Sequence, residues 1–238
     1  MHGGTIGPAG DLGLTIIRES GARIPVVEPT AWPLRPVTFT DVLEHGGPQR
    51  GLPDEVNRWR LANTRHLWRG FRRVFLARAL RLPTFYGQLW LTVIRADGHV
   101  VDLGLASLRV VTTAGVNYIV DAFQNTTELE NLKYHGIGTT NTAEASSDTA
   151  LVAESTTALN PDSTRATGST TEGASANIYR TVGTLTADAS IAAVEHGIFS
   201  QAATGGGTLL DRSVFSTVNL ASGDSLQATY DLTLTAGS

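Results

Sequence analysis

The chain of 238 residues has a formal net charge of −4 and contains no cysteine, which excludes disulfide bridges, thiolate nucleophiles and cysteine-ligated zinc. The sequence shows neither a signal peptide's basic-then-apolar start nor the roughly 20 apolar residues of a membrane span, so we expect a soluble protein used without export. The charge is uneven: residues 1–111 hold 14 basic and 9 acidic groups, whereas residues 112–238 hold 4 and 13. This asymmetry indicates two functional parts.

The first 52 residues are rich in glycine and proline and contain short β-like runs such as "LTIIRES" and "RIPVVEP". Proline cannot donate a hydrogen bond to a neighbouring strand, and it favours extended or edge conformations. Residues 1–52 are therefore predicted to form an extended N-terminal arm.

Residues 53–82 have the pattern of one long helix. Pro53 suits a first helical position, Asp54 and Glu55 complement the helix N-terminus, and no further proline occurs until Pro83. At about 100° per residue an apolar face opposes a basic face, so we predict an amphipathic, arginine-rich helix. The apolar face holds Val56, Trp59, Leu67, Phe71 and Val74, and the basic face holds Arg58, Arg65, Arg69 and Arg72.

Three roles are open for this helix: a solvated basic face, docking against an acidic protein surface, and nucleic-acid binding. An acidic chain without an aromatic-studded basic sheet is a poor nucleic-acid binder, so no direct nucleic-acid partner is expected. The candidate assembly interface consists of Arg58, Arg65, Arg69, Arg72, Arg73, Trp59 and Trp68.

Two predicted strands, "GQLWLTVIRA" and "VVDLGLASLRVV", flank Asp97 and Gly98, which give the sequence signal for a hairpin turn. The next stretch, "TTAGVNYIVDAFQN", is typical of a short helix with Thr112 or Thr113 as N-cap. Its buried side is predicted to hold Val116, Ile119, Val120 and Phe123.

From about residue 132 the chain is rich in threonine, serine, alanine and glycine, and β-like runs alternate with turn residues. Residues 191–235 are predicted to form three strands in an antiparallel meander, with the last strand apolar on one face and polar on the other. Residues 158–177 are predicted to be a long surface loop. The fold class is therefore mainly β: an antiparallel β-sandwich-like domain over residues 83–238 with one short helix, preceded by the arm and the basic helix.

The stretch "VEHGIFSQAATGGGTLLDRSVF" contains the residue types of a hydrolytic site, namely Glu195, His196, Ser200 and Asp211. In a strand, however, neighbouring side chains point to opposite faces, and a serine four residues away is roughly 13 Å distant. His135 and His196 could approach each other across a sheet, but no metal motif accompanies them. We therefore predict no catalytic residues, no metal site and no cofactor.

Four stretches together resemble the virion proteins of tailed bacteriophages that are described as capsid-decorating or tail-fibre-like. They are "VVTTAGVNYIVDAFQN", "LKYHGIGTTNTAEASSDTALVAE", "ANIYRTVGTLTADASIAAVEHGIFSQAATGGGTLLDRSVF" and "SGDSLQATYDLTLT". The resemblance covers residues 105–238 and implies a β-sandwich-like module that assembles on the particle; Gly138-Thr139-Thr140 stands where Gly-Thr-Gly is commoner. Its motifs are strand and turn patterns, so it implies no catalytic residues.

We therefore expect a virion structural protein, a capsid decoration or cement protein anchored by its arm and helix. The expected partners are the major capsid or tail proteins of the same virion and further copies of the chain, with no membrane partner. One alternative is a head- or tail-fibre component whose residues 158–177 contact a host surface receptor. A remote alternative is a cell-wall hydrolase that uses Glu195 or Asp211 beside His196.

Overall fold

The structure is a computed structural model that describes residues 15–17, 23–25, 39–80 and 83–236. The chain divides into two compact units, residues 1–30 and 31–238. In the first unit, β1 (Thr15–Ile17) pairs antiparallel with β2 (Arg23–Pro25), and both strands fall in predicted β-like runs. The remainder of the predicted arm up to residue 38 lies outside the described residues.

Helix α1 (Phe39–Gly46) lies in the second unit, so the prediction of an extended arm is wrong over these eight residues. Asp41 in its first turn complements the helix N-terminus. Val42 is fully buried in a cluster with Leu67 and Leu105, and this burial favours a packed helix over an extended chain.

Helix α2 (Asp54–Ala79) confirms the predicted long helix. It begins directly after Pro53, and its first turn carries Asp54 and Glu55 as expected. The helix packs mainly against strand β4 (Val100–Val110) and also contacts α1.

The β strands that follow α2 form two antiparallel sheets. Besides β4, their strands are β3 (Thr84–Ile94), β5 (Tyr134–Gly138), β6 (Leu159–Asn160), β7 (Ala166–Thr167), β8 (Thr171–Glu172), β9 (Ile178–Ala187), β10 (Ile191–Phe199), β11 (Leu209–Leu220) and β12 (Ser225–Thr235). The larger sheet has the order β4–β3–β12–β9–β6, with β8 also paired to β9, and the smaller sheet has the order β11–β10–β5–β7. Helix α3 (Thr113–Phe123) and a 3₁₀ turn (Leu129–Asn131) lie between β4 and β5.

The predicted hairpin of β3 and β4 is confirmed. Gly98 has a φ of +91°, a conformation that glycine adopts without strain, and the Arg95 amide donates to the His99 carbonyl at 2.9 Å.

Apolar side chains from both sheets pack into one cluster. The larger sheet contributes Leu89, Leu91 and Leu226, and the smaller sheet contributes Ile137 and Phe215. Two antiparallel sheets with a shared apolar layer form a β-sandwich-like domain, which confirms the predicted fold class.

The predicted meander of three strands is wrong. β10 and β11 pair with each other, but β12 lies in the other sheet between β3 and β9. At the turn before β12, the Asp224 carboxylate accepts from the Ala96 amide and the Arg95 guanidinium, both at 2.9 Å. Asp224 thereby starts β12 beside the β3–β4 hairpin.

Two further predictions about exposure also need correction. The polar face of β12 is buried, and Asp231 on that face is paired with Arg180 at 2.7 Å. The segment 158–177 contains β6, β7 and β8, so it is only partly a loop.

Candidate functional site: the surfaces of helices α2 and α3

Helix α2 lies where the two sheets end, against the edge strands β4 and β11. Asn63, on its buried face, donates from Nδ2 to the Ala106 carbonyl of β4 at 2.8 Å. Its Oδ1 accepts from the Ser216 amide of β11 at 2.9 Å. One side chain therefore satisfies backbone groups of both edge strands, and the helix covers the seam between the sheets.

Arg60 also lies on the buried face of α2, although the residue pattern had not singled it out. Its Nε donates to the Leu103 carbonyl at 3.0 Å, and it packs against Gly104, whose φ is +73°. Burial lowers the pKa of Arg60, while Asp102 acts in the opposite direction. The helical period of 3.6 residues identifies position 60 as buried. The Leu103 carbonyl of β4, to which Arg60 donates, explains why an arginine is found there.

Three of the seven predicted interface residues form hydrogen bonds or ion pairs with other elements of the chain, and a fourth, Arg65, donates to the neighbouring His66 ring at 3.2 Å. Trp59 donates from Nε1 to the Ser216 carbonyl at 2.9 Å. Arg69 pairs with the Glu144 carboxylate at 3.4 Å, and Arg73 donates to the Glu144 carbonyl at 3.4 Å. These contacts fasten α2 to β11 and to the segment after β5.

The other four predicted residues, Arg58, Arg65, Arg72 and Trp68, are exposed. Large apolar side chains lie beside them: Leu61 is 65% exposed, Trp68 46%, Phe75 52% and Leu76 60%. We call this set the α2 stripe: Arg58, Leu61, Arg65, Trp68, Arg72, Phe75 and Leu76. The structure thus adds apolar residues to a surface that the sequence had predicted as basic.

A second exposed apolar surface lies on α3. Thr112 caps the helix, as predicted, by accepting from the Gly115 amide at 2.9 Å. A side chain at position 115 would clash with Leu210, so glycine allows α3 to lie close to β11. Tyr118 and Ile119 accompany Gly115 on the buried face.

The prediction of the buried side of α3 is correct for Ile119 and wrong for Val116, Val120 and Phe123. All three are exposed, and Phe123 is 82% exposed. The helix buries only a narrow face on β11. In the described chain, no other element covers the rest of its apolar surface.

Phe123 stands at the rim of a cavity of about 490 Å³ that we call the α3 groove. Most of its lining is apolar, and its two ionisable carboxylates belong to Glu130 and Glu172. Tyr179 also lines it, but its hydroxyl already donates to the Leu132 carbonyl at 3.0 Å. The lining consists of Phe85, Ile119, Phe123, Leu129, Glu130, Leu132, Thr170, Thr171, Glu172, Tyr179, Leu210, Leu232 and Leu234.

Glu195 is a structural residue. Its carboxylate is fully buried, pairs with the Arg212 guanidinium at 2.6 Å and accepts from the Ala153 amide at 2.9 Å. Arg212 in turn reaches Asp148 at 3.0 Å. The pair thereby holds residues 148–153 against the smaller sheet.

His196 is directed to the opposite face from Glu195, as predicted, and lies close to His135 as the sequence suggested. The two rings are joined by a contact of 3.0 Å between His135 Nδ1 and His196 Nε2, and His135 Nε2 reaches the Thr181 hydroxyl at 3.0 Å. Burial lowers the pKa of His135 to about 3 and lowers that of His196 as well. Both imidazoles are therefore neutral at pH 7, and His135 links the smaller sheet to Thr181 of β9 in the larger sheet.

The other two members of the supposed hydrolytic set have partners of their own, and Ser213, the partner of Asp211, lies opposite His196 in the register of β10 and β11. Ser200 accepts the Thr208 amide at 2.8 Å and so closes the loop between β10 and β11. Asp211 is buried beside Ser213, at 3.1 Å, and burial raises its pKa to about 7. The structure does not bring Glu195, His196 and Ser200 together.

Within the described ranges, no group of three or more histidine, aspartate or glutamate side chains is arranged to hold a metal ion. No helix in this part of the chain combines the length and the apolarity required to cross a membrane. Comparison of the chain with protein-family models, with curated proteins and with solved structures gave no match.

Proposed function

We propose that this chain is a structural protein of a tailed-bacteriophage virion, a decoration or cement protein of the capsid. The strand and turn segments that resemble such virion proteins form β5, β9, β10, β11 and β12. The proposed partners are the major capsid or tail proteins of the same particle and other copies of the chain.

The α2 stripe is the observation that carries this proposal. Large exposed apolar residues rarely cluster on a protein that acts alone, and such patches mark surfaces for protein partners. On α2 they alternate with exposed arginines, which are enriched at protein interfaces and pair well with carboxylates. An assembly protein requires a surface of this kind.

The interior contacts of the smaller sheet also support a structural role. Glu195 and His196 are buried, and each contacts a group that joins strands or holds a loop in place. Their positions stabilise a rigid module that could be displayed on a particle.

Particle location tests the proposal directly. The full chain with a C-terminal label is expressed during infection by the phage that encodes it, and purified particles are imaged by negative stain. We expect label on the head in repeated, symmetric positions. Absence of the protein from purified particles would overturn the proposal.

A matched pair of variants tests the role of the stripe in incorporation. Arg65→Glu with Arg72→Glu reverses two exposed charges of the α2 stripe, whereas Arg50→Glu reverses an exposed charge outside it. We expect the double variant to be depleted from particles and the Arg50 variant to be incorporated normally. Equal amounts of the two variants in purified particles would show that the α2 stripe is not required for particle binding.

A second candidate is a fibre component that binds the host surface through residues 158–177. A cavity of about 220 Å³ lies beside this segment, lined in part by Asn160, Thr164 and Thr167. Hydroxyl and amide groups of this kind suit the hydroxyl groups of a glycan. Label at the tail or at head fibres, together with binding of the purified protein to host cells, would favour this candidate.

A further inference from the structure

We propose that the α3 groove binds the α2 stripe of a second copy of this chain, so that copies join head to tail. This contact rests on the proposed function, which names other copies of the chain among its partners, and deepens it by assigning the α2 stripe to the groove of the next copy. It assigns one occupant to a groove and one partner to an exposed helix face.

The apolar parts of the two surfaces are suited to each other. Leu61, Trp68 and Phe75 recur every seven residues and therefore lie along one line of the helix. This line extends about 21 Å, at 1.5 Å per residue. The α3 groove offers an apolar cavity of about 490 Å³ with Phe123 exposed at its rim. A helix laid into an apolar groove, anchored by side chains at such spacings, is a common mode of recognition.

The charges of the two surfaces are complementary. Arg65 and Arg72 lie between the apolar residues of the stripe and are exposed. The groove carries Glu130 and Glu172, and residues 113–132 contain no lysine or arginine. A basic stripe is thus attracted to an acidic rim, which also disfavours pairing of two stripes or of two grooves.

The geometry of one chain excludes binding of the α2 stripe to the groove of the same chain. α2 is fixed to its own sheet through Leu67 and Val74, which are buried against β3 and β4, so its outer face cannot turn into the groove of the same chain. Two different surfaces that bind each other form a heterologous contact, which generates a ring or an open chain of copies.

Two double variants separate the surfaces, and each alters only exposed residues. The stripe variant is Phe75→Glu with Leu76→Glu, and the groove variant is Phe123→Glu with Leu129→Glu. The control is Val152→Glu, an exposed apolar residue outside both surfaces. Molar mass is measured by sedimentation velocity over a concentration series, and circular dichroism verifies that each variant is folded.

We expect the wild-type chain and the Val152 variant to form oligomers and each double variant alone to be monomeric. An equimolar mixture of the two double variants retains one intact stripe and one intact groove, so we expect it to give a dimer and no larger species.

Three results would overturn the proposal: a monomeric wild-type chain at all concentrations, oligomers of the groove variant alone, or a mixture that stays monomeric. Oligomers of the groove variant would show that stripes pair with stripes. Because purified protein is used, these outcomes are independent of whether the chain is found in particles.

Discussion

Helix α2 and the smaller sheet distribute their side chains in opposite ways. On α2 the large apolar residues Leu61, Phe75 and Leu76 are exposed, whereas in the sheet Glu195 and Arg212 are buried. Exposed apolar area is available to a partner, and a buried charge is tolerated only when it is paired. The contrast indicates that the sheet is built for internal rigidity and the helix for external contact.

Loss of the buried Glu195–Arg212 ion pair should destabilise the smaller sheet strongly. Removing one partner of a buried ion pair leaves an uncompensated charge, which typically costs about 3–5 kcal/mol. We therefore expect Glu195→Ala to lower the free energy of unfolding by about that amount in urea titrations. Glu172→Ala, at an exposed position, should change it by less than about 0.5 kcal/mol.

The double variant Glu195→Leu with Arg212→Met sharpens this test. It removes both fully buried charges and should be less destabilised than Glu195→Ala, because the only charge that then loses its partner is the partly exposed Asp148. If Glu195→Ala were as stable as Glu172→Ala, the carboxylate would not be what fixes residues 148–153.

The buried histidines His66, His135 and His196, whose pKa values are all lowered mainly by burial, predict a dependence of stability on pH. Because the pKa of His135 is lowered to about 3 in the folded chain, the unfolded chain binds an additional proton below its ordinary value of 6.5. Stability should therefore fall as pH falls from about 6.5, by about 1.4 kcal/mol per pH unit for each such histidine.

His135→Gln isolates one of these contributions. The slope of unfolding free energy against pH, measured between pH 6 and 4.5, should be smaller than the wild-type slope by about 1.4 kcal/mol per unit. Asp211, with its pKa raised to about 7, acts with the opposite sign but is present in both proteins and cancels in the difference. His99→Gln, at an exposed position, is the control, and equal slopes for all three proteins would contradict the expectation.

Loss of the Asn63 hydrogen bonds that join α2 to both sheets should lower the free energy of unfolding by a smaller amount. Asn63→Ala would leave the Ala106 carbonyl and the Ser216 amide without a partner, at a cost of about 1–3 kcal/mol. Asn117→Ala changes an exposed asparagine of α3 and should be nearly neutral. Faster amide exchange at Ser216 in the Asn63 variant alone would show that the seam has opened.

Local patterns predicted the elements well because they depend on near neighbours. The bounds of α2 follow from Pro53 and the apolar period, and the hairpin of β3 and β4 follows from Asp97 and Gly98. The opposite orientation of Glu195 and His196 follows from the alternation of a strand. Each of these predictions is confirmed by the structure.

Long-range pairing could not be predicted in the same way. β12 pairs with β3 and β9 in the other sheet, and at its start Asp224 contacts Arg95, which is 129 residues away. A helical period also does not show whether another element covers the apolar face of a helix. For this reason Phe123 is predicted as buried, whereas the structure shows it exposed. The candidate surfaces follow from such uncovered faces, so the sequence predicted the arginines and Trp68 of the α2 stripe but not Leu61, Phe75 and Leu76.

Two leucines of α2 give the sharpest test of the contrast between helix and sheet. Leu67 and Leu76 lie on the same helix, but Leu67 is fully buried and Leu76 is exposed. Leu67→Ala should lower the free energy of unfolding by about 2–5 kcal/mol, since it removes buried contacts and leaves a cavity. Leu76→Ala should change it by less than about 0.5 kcal/mol when measured on dilute protein. A large loss for Leu76→Ala under those conditions would mean that the stripe contributes to the fold of the single chain, and its exposure would then not indicate a partner.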